Sequence, residues 1–159
     1  SKNIFMSFKL PEGRGDFSKI KLSNKVINYI DESYNSNPLS LKIALINFSN
    51  IISKSNSKHI LLGDMLELGK DSLMHHKSIT NVINRLKIDK VHVYGKHIKK
   101  MYEGLIDSKK GLVLDNIFQI NDLINHTLSN NDYLMVKGSN STGLYKKSQL
   151  LKLNKTNAL

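Results

Sequence analysis

Three polar segments of this sequence carry the residue types best suited to binding and catalysis. They are a first loop, residues 31–38 (DESYNSNP), a second loop, residues 63–69 (GDMLELG), and a third loop, residues 136–141 (VKGSNS). Each follows a short apolar stretch of strand character. In open α/β sheets, ligands bind beyond the carboxyl ends of the strands, so these three loops are the candidate functional segments.

The first loop places two acids, two asparagines and a tyrosine between a predicted strand and a predicted helix. Such a loop can hold a nucleoside, with amide contacts to the base and a carboxylate on the ribose hydroxyls. The alternative is a helix-capping turn in which Asn37 is the N-cap, Pro38 takes the first helical position and Asp31 makes only local hydrogen bonds. The residues alone favour capping, because it is the commonest role of these residue types.

The second loop places two acids between two glycines, a composition that permits a tight turn. Its acids can orient a cation or an amine. Equally, the loop can be a plain connection whose Met and Leu side chains pack on the core. The residues alone do not separate these two interpretations.

The third loop has Lys137 at a strand end, followed by a glycine and hydroxyl side chains. This arrangement can cradle an anion, with the lysine as a point charge. The alternative is a loop in which Ser139 or Ser141 caps the following helix. The spacing of a phosphate-binding P-loop is missing throughout, as is that of a dinucleotide-binding G-x-G-x-x-G segment.

The remaining patterns exclude several kinds of chemistry. The sequence has no cysteine, which rules out disulfides, thiolate metal sites and cysteine nucleophiles. His75 and His76 point about 100° apart on a predicted helix and lack an H-E-x-x-H pattern, so no metal site is expected. His76 lies on the apolar face of that helix, where a core histidine is the favoured interpretation.

The net charge of +11, from 24 basic and 13 acidic residues, raises the question of nucleic-acid binding. Only Arg14 and Arg85 are arginine, and the lysines are scattered without a long basic run. We therefore attribute the charge to compositional bias and expect no nucleic-acid partner. Without a long apolar run or a secretory signal, we also expect no membrane insertion and a cytoplasmic protein.

Hydrophobic periodicity predicts alternating strands and helices. Strands are predicted at residues 25–30, 59–62, 90–94, 112–114 and 133–136, and helices at residues 38–52, 71–86, 96–106, 117–128 and 144–151. This alternation predicts an α/β fold, a three-layer sandwich with a mostly parallel sheet covered on both faces. Residues 1–20 are predicted to be a hinge from an upstream domain, with a possible strand at 5–9. Residues 21–153 form the predicted domain, and residues 154–159 are predicted to be a frayed tail.

The three loops together, in this order and spacing, resemble the C-terminal domain of the Mur ligases, in particular the members that add D-alanyl-D-alanine. The first loop resembles their D-D-S-Y-N-A-N-P signature, and the second resembles their G-D-M-L-E-L-G loop with a histidine following at His76. The third begins with V-K-G-S, which resembles the corresponding loop of the family. Arg14, in the hinge, resembles the arginine that begins this domain.

The resemblance implies a dinucleotide-binding-like domain that closes over ATP and an incoming D-alanyl-D-alanine. An N-terminal domain would hold a UDP-N-acetylmuramoyl-tripeptide, and a central domain would hold the ATP phosphates and Mg²⁺. ATP would phosphorylate the precursor's carboxylate, and the amine would attack the acyl phosphate. The implied ATP-binding residues are Arg14, Asp31, Asn35 and Asn37; the implied catalytic residues are Lys137 and Ser139; the implied substrate-binding residues are Asp64, Glu67, His76 and Asn140.

This sequence departs from the family pattern at three positions. Glu32 replaces an aspartate, Ser36 replaces an alanine, and Asn140 stands where an arginine usually follows K-G-S. The last change removes a cation expected beside the active site. It motivates an alternative hypothesis, a free-standing nucleotide-binding module without catalytic activity. On either hypothesis the isolated chain, which lacks the other domains, is expected to be inactive.

Overall fold

The computed structural model describes residues 15–34, 36–66, 68–139 and 142–156, with side chains described as far as residue 153. Its centre is a six-stranded sheet with the strand order β1-β2-β6-β3-β4-β5. Strand β1 pairs antiparallel with β2, and the other neighbours pair in parallel. The strands are β1 (Asp16–Lys21), β2 (Val26–Glu32), β3 (Lys58–Gly63), β4 (Lys90–Tyr94), β5 (Lys110–Leu114) and β6 (Tyr133–Lys137).

Five helical segments follow the strands. They are α1 (Pro38–Ser49), α2 (Ser72–Arg85), α3 (Ile98–Glu103), α4 (residues 117–127) and α5 (Leu144–Thr156). Short 3₁₀ turns precede α2 at Gly69–Asp71 and β5 at Asp107–Lys109. Segment α4 is compound, because a 3₁₀ turn and one α-helical turn lead into a π-helix at Leu123–Thr127.

Two apolar cores lie on opposite faces of the sheet. On β3, Ile60 and Leu62 join the core under α1, α2 and α3, whereas Leu61 joins the core under α4 and α5. This alternation follows from the two-residue period of a strand. Residues 60–62 are apolar in succession because both faces of β3 are buried. The predicted α/β three-layer fold with a mostly parallel sheet is therefore confirmed.

Helix α1 begins where the sequence predicts. Asn37 is its N-cap, Pro38 is its first residue, and the Asn37 side chain and Ser40 form a reciprocal capping box. The predicted end of the helix is wrong. The helix stops at Ser49, and Ile52, expected on the buried face, has 90% of its surface exposed.

Strand β1 lies in a segment for which the sequence predicted a hinge. Ser18 and Ile20 face inwards while Phe17 and Lys19 face solvent, the alternation expected of an edge strand with one solvated face. The predicted domain boundary at residue 20 therefore falls inside a strand of the sheet.

At the other end, α5 extends to Thr156, into the predicted tail. The predicted strand at 5–9 lies outside the described residues.

Lysine amines cap the carboxyl ends of three helices. The Nζ atom of Lys58 donates to the carbonyl oxygen of Ser49 at the end of α1, over 2.7 Å. Lys109 reaches two carbonyls at the end of α2, and Lys25 reaches two at the end of α4. Cations at helix C-termini satisfy unpaired carbonyls and oppose the negative end of the helix dipole. Part of the lysine excess thus stabilises the fold.

The described segments include no helix with the length and apolar character needed to cross a lipid bilayer.

Candidate functional site

The three loops meet at one edge of the sheet. Strand β6 lies between β2 and β3, and Lys137 at its end is in register with Glu32 on β2 and with Leu62 on β3. Since these strands are parallel, the first, third and second loops leave the sheet side by side. All three candidate loops therefore follow the carboxyl ends of neighbouring strands.

Lys137 and Glu32 form an ion pair at the centre of this edge. The distance from Lys137 Nζ to Glu32 Oε2 is 3.7 Å, and the lysine is almost fully buried. Burial lowers the pKa of Lys137, and Glu32 partly opposes this effect. Burial likewise raises the pKa of Glu32, against the attraction of Lys137. The pair therefore places a poorly solvated positive charge and a carboxylate of raised pKa where the loops converge.

Ser139 joins the second and third loops. Its hydroxyl accepts a hydrogen bond from the backbone N–H of Leu66 over 2.8 Å, and its own N–H donates to the carbonyl oxygen of Asp64 over 3.1 Å. The hydroxyl also lies 3.4 Å from the carbonyl oxygen of Ser36, to which it donates. Ser139 is thus a junction of all three loops, and its hydroxyl is engaged within the protein.

The carboxylate of Asp64 holds the turn between β4 and α3. Its Oδ1 atom accepts from the N–H groups of His97 and Ile98, and its Oδ2 atom accepts from the N–H of Lys96. Gly95 adopts a φ of +136°, and a Cβ atom there would lie 2.5 Å from the Asp64 carboxylate. The role of Asp64 in this conformation is therefore to position the neighbouring loop.

The ring of His76 supports the second loop from beneath. Its Nε2 atom accepts from the N–H of Met65 over 2.9 Å, so its Nδ1 atom carries the proton and donates to the carbonyl oxygen of Ser72 over 2.6 Å. The side chain is fully buried, and burial lowers its pKa, so the ring is neutral. Both nitrogens are occupied, as expected for a satisfied core histidine.

Asp31, at the end of β2, is buried with no exposed surface. One carboxylate oxygen accepts from the N–H of Ser33 over 3.1 Å and from its hydroxyl. The other lies 2.6 Å from Lys152 Nζ and 3.1 Å from Gln149 Nε2, both on α5. The carboxylate is closed to a ligand in this conformation, and a direct contact with ribose would require the exchange of these partners.

The exposed part of the first loop is its junction with α1. Asn37 is exposed, and its Oδ1 atom caps the helix by accepting from the N–H of Ser40 over 2.8 Å. Nearby, the rings of Tyr34 and Tyr145 meet edge to face with centroids 5.3 Å apart. The helix N-terminus, with its partial positive charge, thus opens at the same edge as Lys137.

Comparison with known proteins decides the family. The family model described as "Mur ligase, glutamate ligase domain" matches residues 17–140. The chain belongs to the Mur ligase family.

Individual relatives agree with this assignment. The chain is 35% identical over 123 residues to a UDP-N-acetylmuramoyl-tripeptide–D-alanyl-D-alanine ligase of Buchnera aphidicola (subspecies Baizongia pistaciae), covering 76% of this chain and 25% of that protein. It is 33% identical over 131 residues to the Bacillus subtilis ligase of the same name, covering 80% and 26% respectively. The chain thus spans about a quarter of the length of these curated relatives.

A solved structure confirms the fold. The MurF ligase of Thermotoga maritima, determined in complex with ADP, superimposes with a TM-score of 0.73 at 18% sequence identity. The match covers 96% of this chain and 33% of that structure. The arrangement of six strands and their covering helices is therefore that of a Mur ligase domain.

Within this Mur ligase domain, the predicted site residues divide into two groups. Lys137, Ser139 and Asn37 lie at the edge where the loops meet, whereas Asp31, Asp64 and His76 lie beneath it and hold the loops in place. Contact of the second group with nucleotide or substrate stays a prediction, one that this conformation does not favour. Four further predicted residues lie outside the described residues: Arg14, Asn35, Glu67 and Asn140.

Sequence reasoning missed the part of the site that α5 contributes. Gln149 and Lys152 reach Asp31 from more than a hundred residues away in the sequence. The sequence did contain a signal for this contribution. Tyr145, Ser148, Gln149 and Lys152 recur every three or four positions, which places polar groups on one face of a helix otherwise rich in leucine and lysine. The described residues contain no group of three or more His, Asp or Glu side chains that could hold a metal ion.

Proposed function

We propose that this chain is the C-terminal domain of an ATP-dependent ligase that joins D-alanyl-D-alanine to a UDP-N-acetylmuramoyl-tripeptide. The observation that carries the proposal is the convergence, at one sheet edge, of the three loops that resemble the family signatures. The names of the relatives support this pair of substrates. Because the chain spans a quarter of those proteins, the activity belongs to a longer protein, and the isolated chain is expected to be inactive.

ATP is the proposed cofactor, supported by the ADP complex of the Thermotoga maritima structure. The N-terminus of α1 at Asn37 is exposed, and the positive end of its helix dipole supports the binding of an anionic nucleotide. By family resemblance, Asn35 joins Asn37 near the adenine, and Arg14 lies near the phosphates. Mg²⁺ is assigned to the central domain of the longer protein, together with the phosphate-binding loop.

The proposed reaction develops negative charge on the transferred phosphate and on the acyl group, and fixed positive charge nearby stabilises it. Among the described residues, Lys137 is a cation at the junction of the loops. Its burial strengthens its electrostatic field because little water screens the charge. Glu32, 3.7 Å from the lysine amine, holds that amine in place. Ser139 sets the third loop against the second and can reach the phosphate or the dipeptide only by exchanging its present hydrogen bonds.

The proposed partners are the N-terminal and central ligase domains and the two substrates, in the cytoplasm. We propose no nucleic-acid partner and no membrane insertion.

The nucleotide site is tested by titrating the isotopically labelled chain with ADP and following its backbone amide resonances. We expect shifts that concentrate at Asn37 and around Lys137, and none around Lys58 at the opposite sheet edge. The variant Asn37→Ala should weaken binding, whereas Asn50→Ala, at the other end of α1, serves as the matched control. Shifts confined to the amino edge of the sheet, or no saturable shift at millimolar ADP, would contradict the proposed nucleotide site.

The second candidate, a nucleotide-binding module without catalytic activity, is motivated by Asn140 in place of the family arginine. It predicts the same ADP titration but no ligation when the other domains are supplied. The variant Asn140→Arg distinguishes the catalytic ligase domain from the non-catalytic module. A gain of phosphate release only in the variant favours the non-catalytic module, whereas release by the natural sequence favours the ligase.

A further inference from the structure

We propose that Lys152 and Gln149, on α5, are positioning residues for the first loop and act through the buried carboxylate of Asp31. The inference rests on the proposed function, because the first loop matters for activity as part of the nucleotide site. It gives α5 a role in that site although α5 lies outside all three candidate loops.

The two oxygens of Asp31 face different elements. Oδ1 accepts from the N–H and the hydroxyl of Ser33, which fixes the turn that begins the first loop. Oδ2 receives Lys152 Nζ at 2.6 Å and Gln149 Nε2 at 3.1 Å. The carboxylate is therefore a bridge, with the loop on one oxygen and α5 on the other.

Lys152 also ties in the edge strand. Its Nζ atom lies 2.9 Å from Asp16 Oδ2, and Asp16 is in register with Asp31 across β1 and β2. Burial by itself lowers the pKa of Lys152, but the hydrogen bonds and charges of Asp31 and Asp16 outweigh it and raise the pKa. One ammonium group thus pairs with two carboxylates, one on β1 and one near the end of β2.

Further contacts join α5 to the same region. Ser148 and Tyr29 share a hydrogen bond of 2.5 Å, and the ring of Tyr145 packs edge to face on Tyr34 of the first loop. Residues 145, 148, 149 and 152 recur every three or four positions, the spacing of one helix face. The helix therefore contacts the first loop and its strand over about two turns.

Two roles for Asp31 predict opposite changes in nucleotide affinity when the Lys152 amine is removed. If Asp31 is a ribose ligand, Lys152 competes with the nucleotide, and removing the amine should tighten nucleotide binding. If Asp31 positions the loop, removing the amine should loosen the loop and weaken binding. Misplacing catalytic groups by about 1 Å can cost on the order of a hundredfold in reaction rate. We expect a loosened first loop likewise to weaken nucleotide binding measurably.

The test compares Lys152→Met with Lys146→Met, a substitution of an exposed lysine on the same helix. We expect the ADP dissociation constant of the chain to rise at least about tenfold in Lys152→Met and to stay at the natural value in Lys146→Met. The conservative Lys152→Arg variant should restore most of the binding. Tighter or unchanged binding in Lys152→Met would overturn the proposal.

A second readout does not depend on ligand. Hydrogen exchange of the Ser33 amide, which donates to Asp31, should accelerate in Lys152→Met and not in Lys146→Met. If Lys152→Met fails to fold, Gln149→Leu replaces it, because that change removes one donor without leaving a charge unpaired. If the natural chain binds no ADP, the proposed nucleotide site fails, yet the Ser33 exchange rates still decide this inference. If the exchange rate of the Ser33 amide is unchanged in both Lys152→Met and Gln149→Leu, the inference is refuted.

Discussion

The buried pair of His59 and His92 makes the stability of this domain sensitive to mild acid. His92 Nδ1 accepts from the N–H of Leu112, so its Nε2 carries the proton and donates to His59 Nδ1, 3.1 Å away. His59 then directs its remaining N–H toward the carboxylate of Asp132, at 3.5 Å. Each ring nitrogen of the two histidines faces one partner. Adding a proton to either ring therefore leaves two N–H groups facing each other.

The sign and size of the effect follow from the pKa of His92. Burial, with the neighbouring His59 and Lys90, lowers the pKa of His92 to about 3. In the unfolded chain the pKa is about 6.5. The stabilising effect is therefore fully present above pH 6.5 and is lost as the pH falls toward 3, because only the unfolded state takes up the proton. At pH 5.5 the loss from His92 alone is about 1.4 kcal/mol, and burial lowers the pKa of His59 in the same direction.

The assay is urea unfolding at pH 7.5, 6.5 and 5.5 for the natural chain, for His92→Gln and for His126→Gln. His126 is exposed, so its replacement is the matched control. We expect His92→Gln to be less stable than the natural chain at pH 7.5 but to lose about 1.4 kcal/mol less between pH 7.5 and 5.5. His126→Gln should follow the natural pH profile. If His92→Gln shows the same pH slope as the natural chain, the account of this buried pair is wrong.

Three further predictions concern stability in the same urea assay. Asn37→Ala removes the α1 cap and should lower the free energy of unfolding by about 1 kcal/mol; no loss would contradict the cap. Gly95→Ala should cost more than Gly69→Ala, because both positions have positive φ but only the Cβ at position 95 collides with Asp64; equal costs would refute the collision. Lys58→Met leaves a helix-end carbonyl unpaired and should cost about 1 kcal/mol, a prediction that fails if stability is unchanged.

The sequence was informative wherever a local rule determines structure. The start of α1 follows from Asn37 and Pro38, and the bounds of β4 follow from a short segment rich in valine. The convergence of the three loops follows from the parallel sheet, because every such strand ends at the same edge. These features depend on residues close in sequence or on the regular geometry of the fold.

Features that depend on distant contacts were not predictable in this way. Strand β1 has a solvated face and an apolar pattern too short to identify it, and its pairing with β2 is what makes it a strand. Asp31 has the composition of a ligand-binding residue, but its partners on α5 lie more than a hundred positions away. The compound α4 keeps its apolar face through a π-helix, a change of helix type that the periodicity did not reveal.

The most direct test of the central claim is phosphate release by a fusion of the upstream three quarters of the Bacillus subtilis relative to this chain. The relative with its own final quarter is the positive control, and the upstream part alone is the blank. With ATP, Mg²⁺, the UDP-linked tripeptide and D-alanyl-D-alanine, we predict phosphate release that depends on both substrates and falls sharply in Lys137→Met. A folded fusion that releases no phosphate above the blank, while the positive control is active, would contradict the assignment of this chain to a working ligase.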